Sequence, residues 1–391
     1  MSSGKQYSTP GYAQASNVRL VRAGTEYFDC AHSMIRNARS VIHLQTYIYE
    51  EDHTGQVIAQ ALADAVKRGV SVYLLVDGYA SRTLSKSFLR QLDMDGINFR
   101  FFAPLFRNTN FYVGRRLHHK ILVADVDEAL VGGVNISDRY NDLPGQPAWL
   151  DFALYTKGAI VSELYTLCCK TWNNFRNGAT FPVLKPQQST APPDNLSTIA
   201  LCRNDWVRRK NQVSSTYVRM LRSATSEVII LSSYFIPGKM IRSQLAQAAR
   251  RGVKIKIITA GNSDVGIAKY AERYSYSFLL RNHIELYEYK GNILHGKLAV
   301  CDDRWLTIGS YNLNNISAYA SIELNLNVQD EKIARKSAQV LRELIDQHCV
   351  RVSDSISGHV RNPFSRLLQW VSHHTVRFIF YVFTFYYKHH A

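Results

Sequence analysis

The chain is written twice, and this constrains its fold more than any other feature. Ala38–Tyr49 (ARSVIHLQTYIY) is similar to Ala224–Ile236 (ATSEVIILSSYFI), and Leu62–Gly78 (LADAVKRGVSVYLLVDG) to Leu245–Gly261 (LAQAARRGVKIKIITAG). In the first pair a helix end precedes an apolar strand that finishes in aromatic residues. In the second a helix stops at an Arg-Gly step, where glycine accepts the left-handed backbone of a helix C-terminus, and a β-branched strand follows. The copies recur at a nearly constant separation, as internal duplication requires. Each half therefore reads helix, strand, helix, strand, helix, strand, then further strands and a closing helix. That alternation predicts an α/β fold, with each half a largely parallel or mixed sheet flanked by helices.

A length of 391 residues suits two such domains. Pro182–Ser197 (PVLKPQQSTAPPDNLS) is rich in proline and polar residues and reads as the linker, and Ser353–Pro363 as a second break. The expected organisation is an N-terminal tail over 1–17, a first domain over 18–181, a linker over 182–197, a second domain over 198–352 and a C-terminal segment over 353–391.

A third repeat carries the chemistry. The first half reads His118-His119-Lys120, four residues, Asp125, six residues, Gly132-Gly133-Val134-Asn135. The second reads His295-Gly296-Lys297, four residues, Asp302, six residues, Gly309-Ser310-Tyr311-Asn312. Side chains two apart on a strand share a face, so LHHKILVAD predicts His118 and Lys120 side by side, with His119 on the opposite face in a packing role. The strand turns near the aspartate and returns as a second apolar run, ALVGG or WLTIGS. Each half offers an imidazole, an ammonium and an amide, a set that suits an anionic tetrahedral centre. A single H-x-K on a strand is ordinary surface chemistry. Two copies inside a duplicated chain are not. Asp125 and Asp302 end their strands at turns, where aspartate caps main-chain N–H groups, and read as structural.

This pattern, H-x-K-x4-D-x6-G-[GS]-x-N in two copies, resembles the phospholipase D superfamily, over about Val18 to Val350. Within it the chain is most similar to bacterial cardiolipin synthases, on Asn135–Tyr140, Trp149–Asp151, Tyr234–Pro237, Ala249–Val253, Asn312–Asn314 and Glu323. The resemblance implies two duplicated α/β sandwich domains related by a pseudo-twofold, with both motifs serving one active site. It implies a phosphatidyltransferase that moves a phosphatidyl group to the headgroup alcohol of phosphatidylglycerol through a phosphohistidine. His118 would be the nucleophile and His295 the acid/base. Lys120, Lys297, Asn135, Asn312 and Ser310, with Gly133 standing where the second copy has Ser310, would surround the phosphate. Asp151 and Glu323 would orient the two histidines. No metal and no cofactor is implied. Standard family members begin with two transmembrane helices that this chain lacks, so it resembles a shorter branch.

The net charge of +16 favours an anionic partner, either an acidic membrane or nucleic acid. The tail decides between them. Phe364, Leu367, Leu368 and Val371 recur at helical spacing, and Phe378–Tyr387 (FIFYVFTFYY) is almost wholly apolar before Lys388, His389 and His390. As a helix that run reaches about 15 Å, half of a roughly 30 Å bilayer core. Aromatics beside cations favour the interfacial zone, and the alternative is a cover for an apolar patch on protein. No dense Lys/Arg run stands out as a nucleic-acid groove. The partners expected are anionic phospholipids and the membrane surface, with peripheral residence on the cytoplasmic face of the cell membrane. Oligomeric state is not fixed. The six cysteines form no zinc-ligand pattern and read as reduced thiols. Two other activities share the motif: lipid hydrolysis with water as acceptor, and metal-independent cleavage of a nucleic-acid phosphodiester. A catalytically dead lipid binder is disfavoured by two intact motifs.

Overall fold

The computed structural model describes residues 11–104, 115–173, 196–208, 210–263, 266–314, 321–353, 369–372 and 374–375. The chain forms two compact units. One comprises Tyr12–Leu201 with Ile308–Ser310, and the other Cys202–Thr307 with the chain from Tyr311 onward. Residues 182–195 of the expected linker and most of the 353–391 segment lie outside the described residues.

The first unit runs β1 (Tyr12–Arg22), α1 (Thr25–Asn37), β2 (Val41–Thr46), α2 (His53–Lys67), β3 (Ser71–Asp77), α3 (Lys86–Met94), β4 (Asn98–Phe102), β5 (Arg116–Leu117), β6 (Lys120–Ala124), β7 (Glu128–Gly132), β8 (Phe152–Lys157) and α4 (Ala159–Trp172). Its mixed sheet has the order β1-β8-β7-β6-β2-β3-β4. The β2, β3 and β4 strands are parallel and the other neighbours antiparallel. Tyr12–Asn17, read from sequence as tail, instead opens β1, because β8 and the start of β9 (Ser197–Asp205) supply its ladder partners. Tyr27, Met34 and Ile35 of α1, with Ile58 and Leu62 of α2, pack on Ile42, Leu44, Val72 and Leu74. Burial of such side chains stabilises by about 1.5–3 kcal/mol each.

The second unit continues with β10 (Lys210–Asn211), α5 (Gln212–Ser223), β11 (Glu227–Ser232), α6 (Lys239–Arg250), β12 (Lys254–Ala260), α7 (Gly266–Arg273), α8 (Tyr276–Arg281), β13 (Glu285–Tyr289), β14 (Lys297–Cys301), β15 (Trp305–Gly309), β16 (Ser321–Gln329), α9 (Glu331–His348) and β17 (Cys349–Arg351). Its sheet has the order β17-β13-β12-β11-β14. The run β13-β12-β11-β14 repeats β4-β3-β2-β6 with the same strand directions. The fold is therefore a duplicated mixed α/β architecture.

Small devices repeat as well. Gly69 and Gly252 take φ of +90° and +87° just past α2 and α6, the left-handed backbone that the Arg-Gly steps predict. The arginine before each glycine caps the preceding helix pair in the same way. Arg68 Nη2 donates to the Ile35 carbonyl at 2.8 Å, and Arg251 Nη2 to the Leu221 carbonyl at 2.6 Å.

Candidate active site

The two H-x-K-x4-D hairpins are built alike. β6 and β7 pair from Lys120↔Gly132 to Ala124↔Glu128. Their turn places Asp125 and Val126 at φ of +54° and +58°, and Asp302 and Asp303 match them at +51° and +52°. Positive φ at both central residues is the hairpin turn that suits strand twist. The motif aspartates then act inward. Asp125 accepts the N–H groups of Arg39 (2.7 Å), Ser40 (2.8 Å) and Val41 (3.1 Å) and the Ser40 hydroxyl (2.9 Å). Asp302 accepts Thr225, Ser226 and Glu227 N–H groups at 2.8–2.9 Å and both hydroxyls at 2.9 Å. Burial would raise the Asp302 carboxyl, but the Ser226, Thr225 and Glu227 N–H groups outweigh it and hold it at about 2. Asp125 is likewise held below the ordinary carboxylate range. Each aspartate thus locks the hairpin to the start of the neighbouring strand, β2 or β11.

The histidines stand two residues before β6 and β14, a correction to the continuous strand read from LHHKILVAD. The ladder ends at Lys120↔Gly132 and at Ser232↔Lys297. Beyond it the Gly133 N–H continues the bonding to β8, donating to the Phe152 carbonyl at 3.1 Å. Lys120 and Lys297 begin their strands and fold back. Lys120 Nζ donates to the His118 carbonyl at 2.6 Å, and Lys297 Nζ to the His295 carbonyl. Both ammonium groups are buried, and each charge is set beside the main chain of its own histidine.

His118 is half-buried, and the Tyr47 ring meets it edge to face at 4.8 Å between centroids. Lys120 Nζ lies 5.2 Å from the same ring, within cation–π range. His119 points the other way, as expected. It is buried, and its Nε2 pairs with Gln45 Oε1 at 2.8 Å while Gln45 Nε2 donates to the Cys168 carbonyl at 2.8 Å.

The other expected site residues fall as follows. Asn135 is fully buried. Its Oδ1 accepts Ile48 N–H at 3.0 Å, and its Nδ2 donates to the Tyr140 hydroxyl at 2.8 Å. Asn312 Oδ1 accepts the Ser233 hydroxyl at 2.8 Å. Both amides thus tie the glycine-rich loop to the end of the preceding strand, and for Asn135 the observed contacts are scaffold contacts, not ones left open to a phosphate. Ser310 is buried just beyond β15. Asp151 is buried immediately before β8, with its Oδ1 accepting the Phe152 N–H at 2.7 Å. A Cβ on Gly133 would stand 2.3 Å from Asp151 Oδ1. The first copy therefore has glycine where the second has Ser310 because the carboxylate occupies that space. Glu323 is buried as the third residue of β16 rather than at its start.

Sequence reasoning missed Tyr47, Gln45 and Asp77. The end of the first strand repeat contains Tyr47. Aligned through the aspartate cages it faces Ser233, so the copies differ at the position beside the histidine.

Comparison with known proteins accords with this geometry. The family model described as "Cardiolipin synthase, PLD-like domain" matches residues 32–145 and 217–345, and each segment contains one complete motif. Cardiolipin synthase B of Escherichia coli (strain K12) is 30% identical over 393 residues, covering 94% of this chain and 92% of that protein. A cardiolipin synthase of Halalkalibacterium halodurans is 31% identical over 316 residues, covering 80% of this chain and 62% of that one. The crystal structure of phosphatidylserine synthase from Haemophilus influenzae Rd KW20 superposes with a TM-score of 0.70 at 15% identity, covering 94% of this chain and 95% of that one, which shows a shared fold. With two matched segments spanning both motifs and a relative 30% identical over most of both chains, the chain belongs to the cardiolipin synthase, PLD-like domain family.

Proposed function

We propose that the chain is a phospholipid phosphatidyltransferase of the phospholipase D superfamily that forms cardiolipin. The single observation that supports this best is the pair of identical histidine–lysine hairpins, each locked by its own aspartate cage. The relatives named cardiolipin synthase, aligned over most of the chain, point to the substrate class.

The reaction divides one difficult displacement into two easier ones. A nitrogen of His118 attacks the phosphorus of the donor phospholipid. The P–N bond forms as the P–O bond to the departing alcohol breaks, and His295 in its protonated form delivers a proton to that oxygen. His295 then takes the proton of the acceptor hydroxyl on phosphatidylglycerol. The acceptor oxygen attacks phosphorus, the P–N bond breaks and His118 is regenerated. Lys120 and Lys297 offset the charge that grows on the phosphoryl oxygens. Asp151 and Glu323 fix the tautomer and direction of the imidazoles. Ser310 and the Gly133 main chain border the phosphate.

The protein acts at a membrane surface as a peripheral enzyme on the cytoplasmic face. The +16 charge and the aromatic run Phe378–Tyr387 support that reading. No described helix is long and apolar enough to cross a membrane. Mass spectrometry of the products formed by purified protein from phosphatidylglycerol and a second phospholipid tests the assignment. Cardiolipin with release of a small alcohol is expected. Phosphatidic acid as the main product would make the enzyme a hydrolase. Cleavage of single-stranded DNA without any lipid turnover would move it to the nucleases.

A further inference from the structure

We propose that Asp77 is the positioning residue of the first motif, anchoring both the main chain that presents His118 and the turn that holds the ring packed against it. The inference rests on His118 being the nucleophile.

Asp77 ends β3 and is fully buried. Its Oδ2 accepts the N–H of Leu117, the residue before His118, at 2.9 Å. Its Oδ1 accepts the N–H groups of Tyr79 at 2.9 Å and Ala80 at 3.1 Å and lies 3.4 Å from Arg116 Nη1. Arg116 Nη2 in turn donates to the Ala103 carbonyl at 2.8 Å. Burial pushes the Asp77 carboxyl up, against the pull of the Arg116 guanidinium and the Leu117 N–H, so the pair is held by fitted partners rather than by solvent.

A second route reaches the ring packed against His118. The Asp77 carbonyl accepts Ser81 N–H at 3.0 Å. The Ser81 hydroxyl donates to the Tyr47 carbonyl at 3.1 Å and accepts Tyr49 N–H at 3.0 Å. Tyr47 is the residue whose ring meets His118. The Asp77 side chain thus holds the residue before His118, and its main chain holds the turn behind Tyr47.

The plainer explanation is that Asp77 merely caps the turn after β3, a common task for aspartate. The second unit argues against it. Ala260 occupies the same place at the end of β12: Asp77 pairs with Phe102 on β4 as Ala260 pairs with Tyr289 on β13, and each following glycine donates to that partner's carbonyl. The first hydrogen bond of the turn forms there with alanine in place of the aspartate. What the turn does not require is the bond from Asp77 to Leu117 on β5, the residue before His118.

The test uses the full chain in phospholipid–detergent micelles, with Asp77→Asn and Asp77→Ala. Asparagine keeps the shape and one acceptor oxygen, so it should act as partial rescue. Displacing a reacting group by about 1 Å costs up to about a hundredfold in rate, so kcat should fall about tenfold for Asn and about a hundredfold for Ala. KM should stay within about twofold of wild type. The His118 ring signal, assigned in histidine-labelled protein by its loss in His118→Gln, should shift. Should Asp77→Ala not fold, Asp77→Asn decides, because it keeps the side-chain shape and changes only the carboxylate; a lower kcat with a moved His118 signal is expected. Wild-type kcat and an unmoved signal in a folded Asp77→Ala or Asp77→Asn protein overturns the proposal, provided His118→Gln is inactive. If His118→Gln itself turns over lipid, the nucleophile assignment fails instead.

Discussion

Replacing Gly133 by alanine tests how the first motif is packed. The new methyl would lie 2.3 Å from Asp151 Oδ1, 2.5 Å from Oδ2 and 2.7 Å from Cγ, where ordinary contacts begin near 3.4 Å. The carboxylate must therefore retreat by about 1 Å from a fully packed site. Asp151 is buried, its Oδ1 is held by the Phe152 N–H, and the Phe152 carbonyl is held by Gly133 itself. Overpacking costs about 1–3 kcal/mol and weakening a charged hydrogen bond about 1.5–3 kcal/mol, so a loss of about 3 kcal/mol is expected. For a domain of this size that lowers Tm by about 6–12 °C. Calorimetry on the purified variant measures it. Adding Asp151→Ala should recover part of the loss, giving a coupling of about 1 kcal/mol or more. A Tm within about 2 °C of wild type for Gly133→Ala alone would refute the claim that glycine is there to admit the carboxylate.

Three further outcomes are expected. The Asp302 carboxyl sits at about 2 when folded against an ordinary 3.8, so its cage stabilises the fold fully above pH 4 and loses that contribution as pH falls from 4 toward 2. After allowance for solvent screening this amounts to about 1–2 kcal/mol, and Asp302→Asn should flatten the acid branch of a urea-unfolding series. His119→Leu leaves Gln45 Oε1 without its imidazole and should cost about 1–3 kcal/mol in stability while kcat stays within about threefold, by thermal melts and lipid assay. Lys120→Met should lower kcat at least a hundredfold, and Lys120→Arg should not restore it, because a planar guanidinium cannot reproduce the ammonium's bond to the His118 carbonyl.

Much of this was legible in the sequence where spacing alone fixes geometry. The four-residue gap from Lys120 to Asp125 fills one short strand, so the aspartate had to fall at a hairpin turn, and Asp302 repeats it. The Arg-Gly steps at Arg68-Gly69 and Arg251-Gly252 announced helix ends through a backbone preference. What was not legible depends on register between distant segments. The approach of Asp77 to Leu117, and of Tyr47 to His118, follows from how β2, β3 and β6 align, which no local pattern encodes. The place of His118 outside the ladder was hidden because LHHKILVAD contains no glycine or proline to mark a break. The pairing with β7 begins only at Lys120↔Gly132. Tyr12–Arg22 mixes exposed and buried positions too irregularly to announce a strand, and its two pairings decide it.

In the proposed reaction the two imidazoles divide the labour. Incubating the protein with phospholipid labelled at phosphorus, quenching, and mapping the acid-labile label by peptide mass spectrometry tests it most directly. The label is expected on His118 in wild type, to build up in His295→Ala, and to vanish in His118→Ala. Label on neither histidine, or full lipid turnover by His118→Ala, would contradict it.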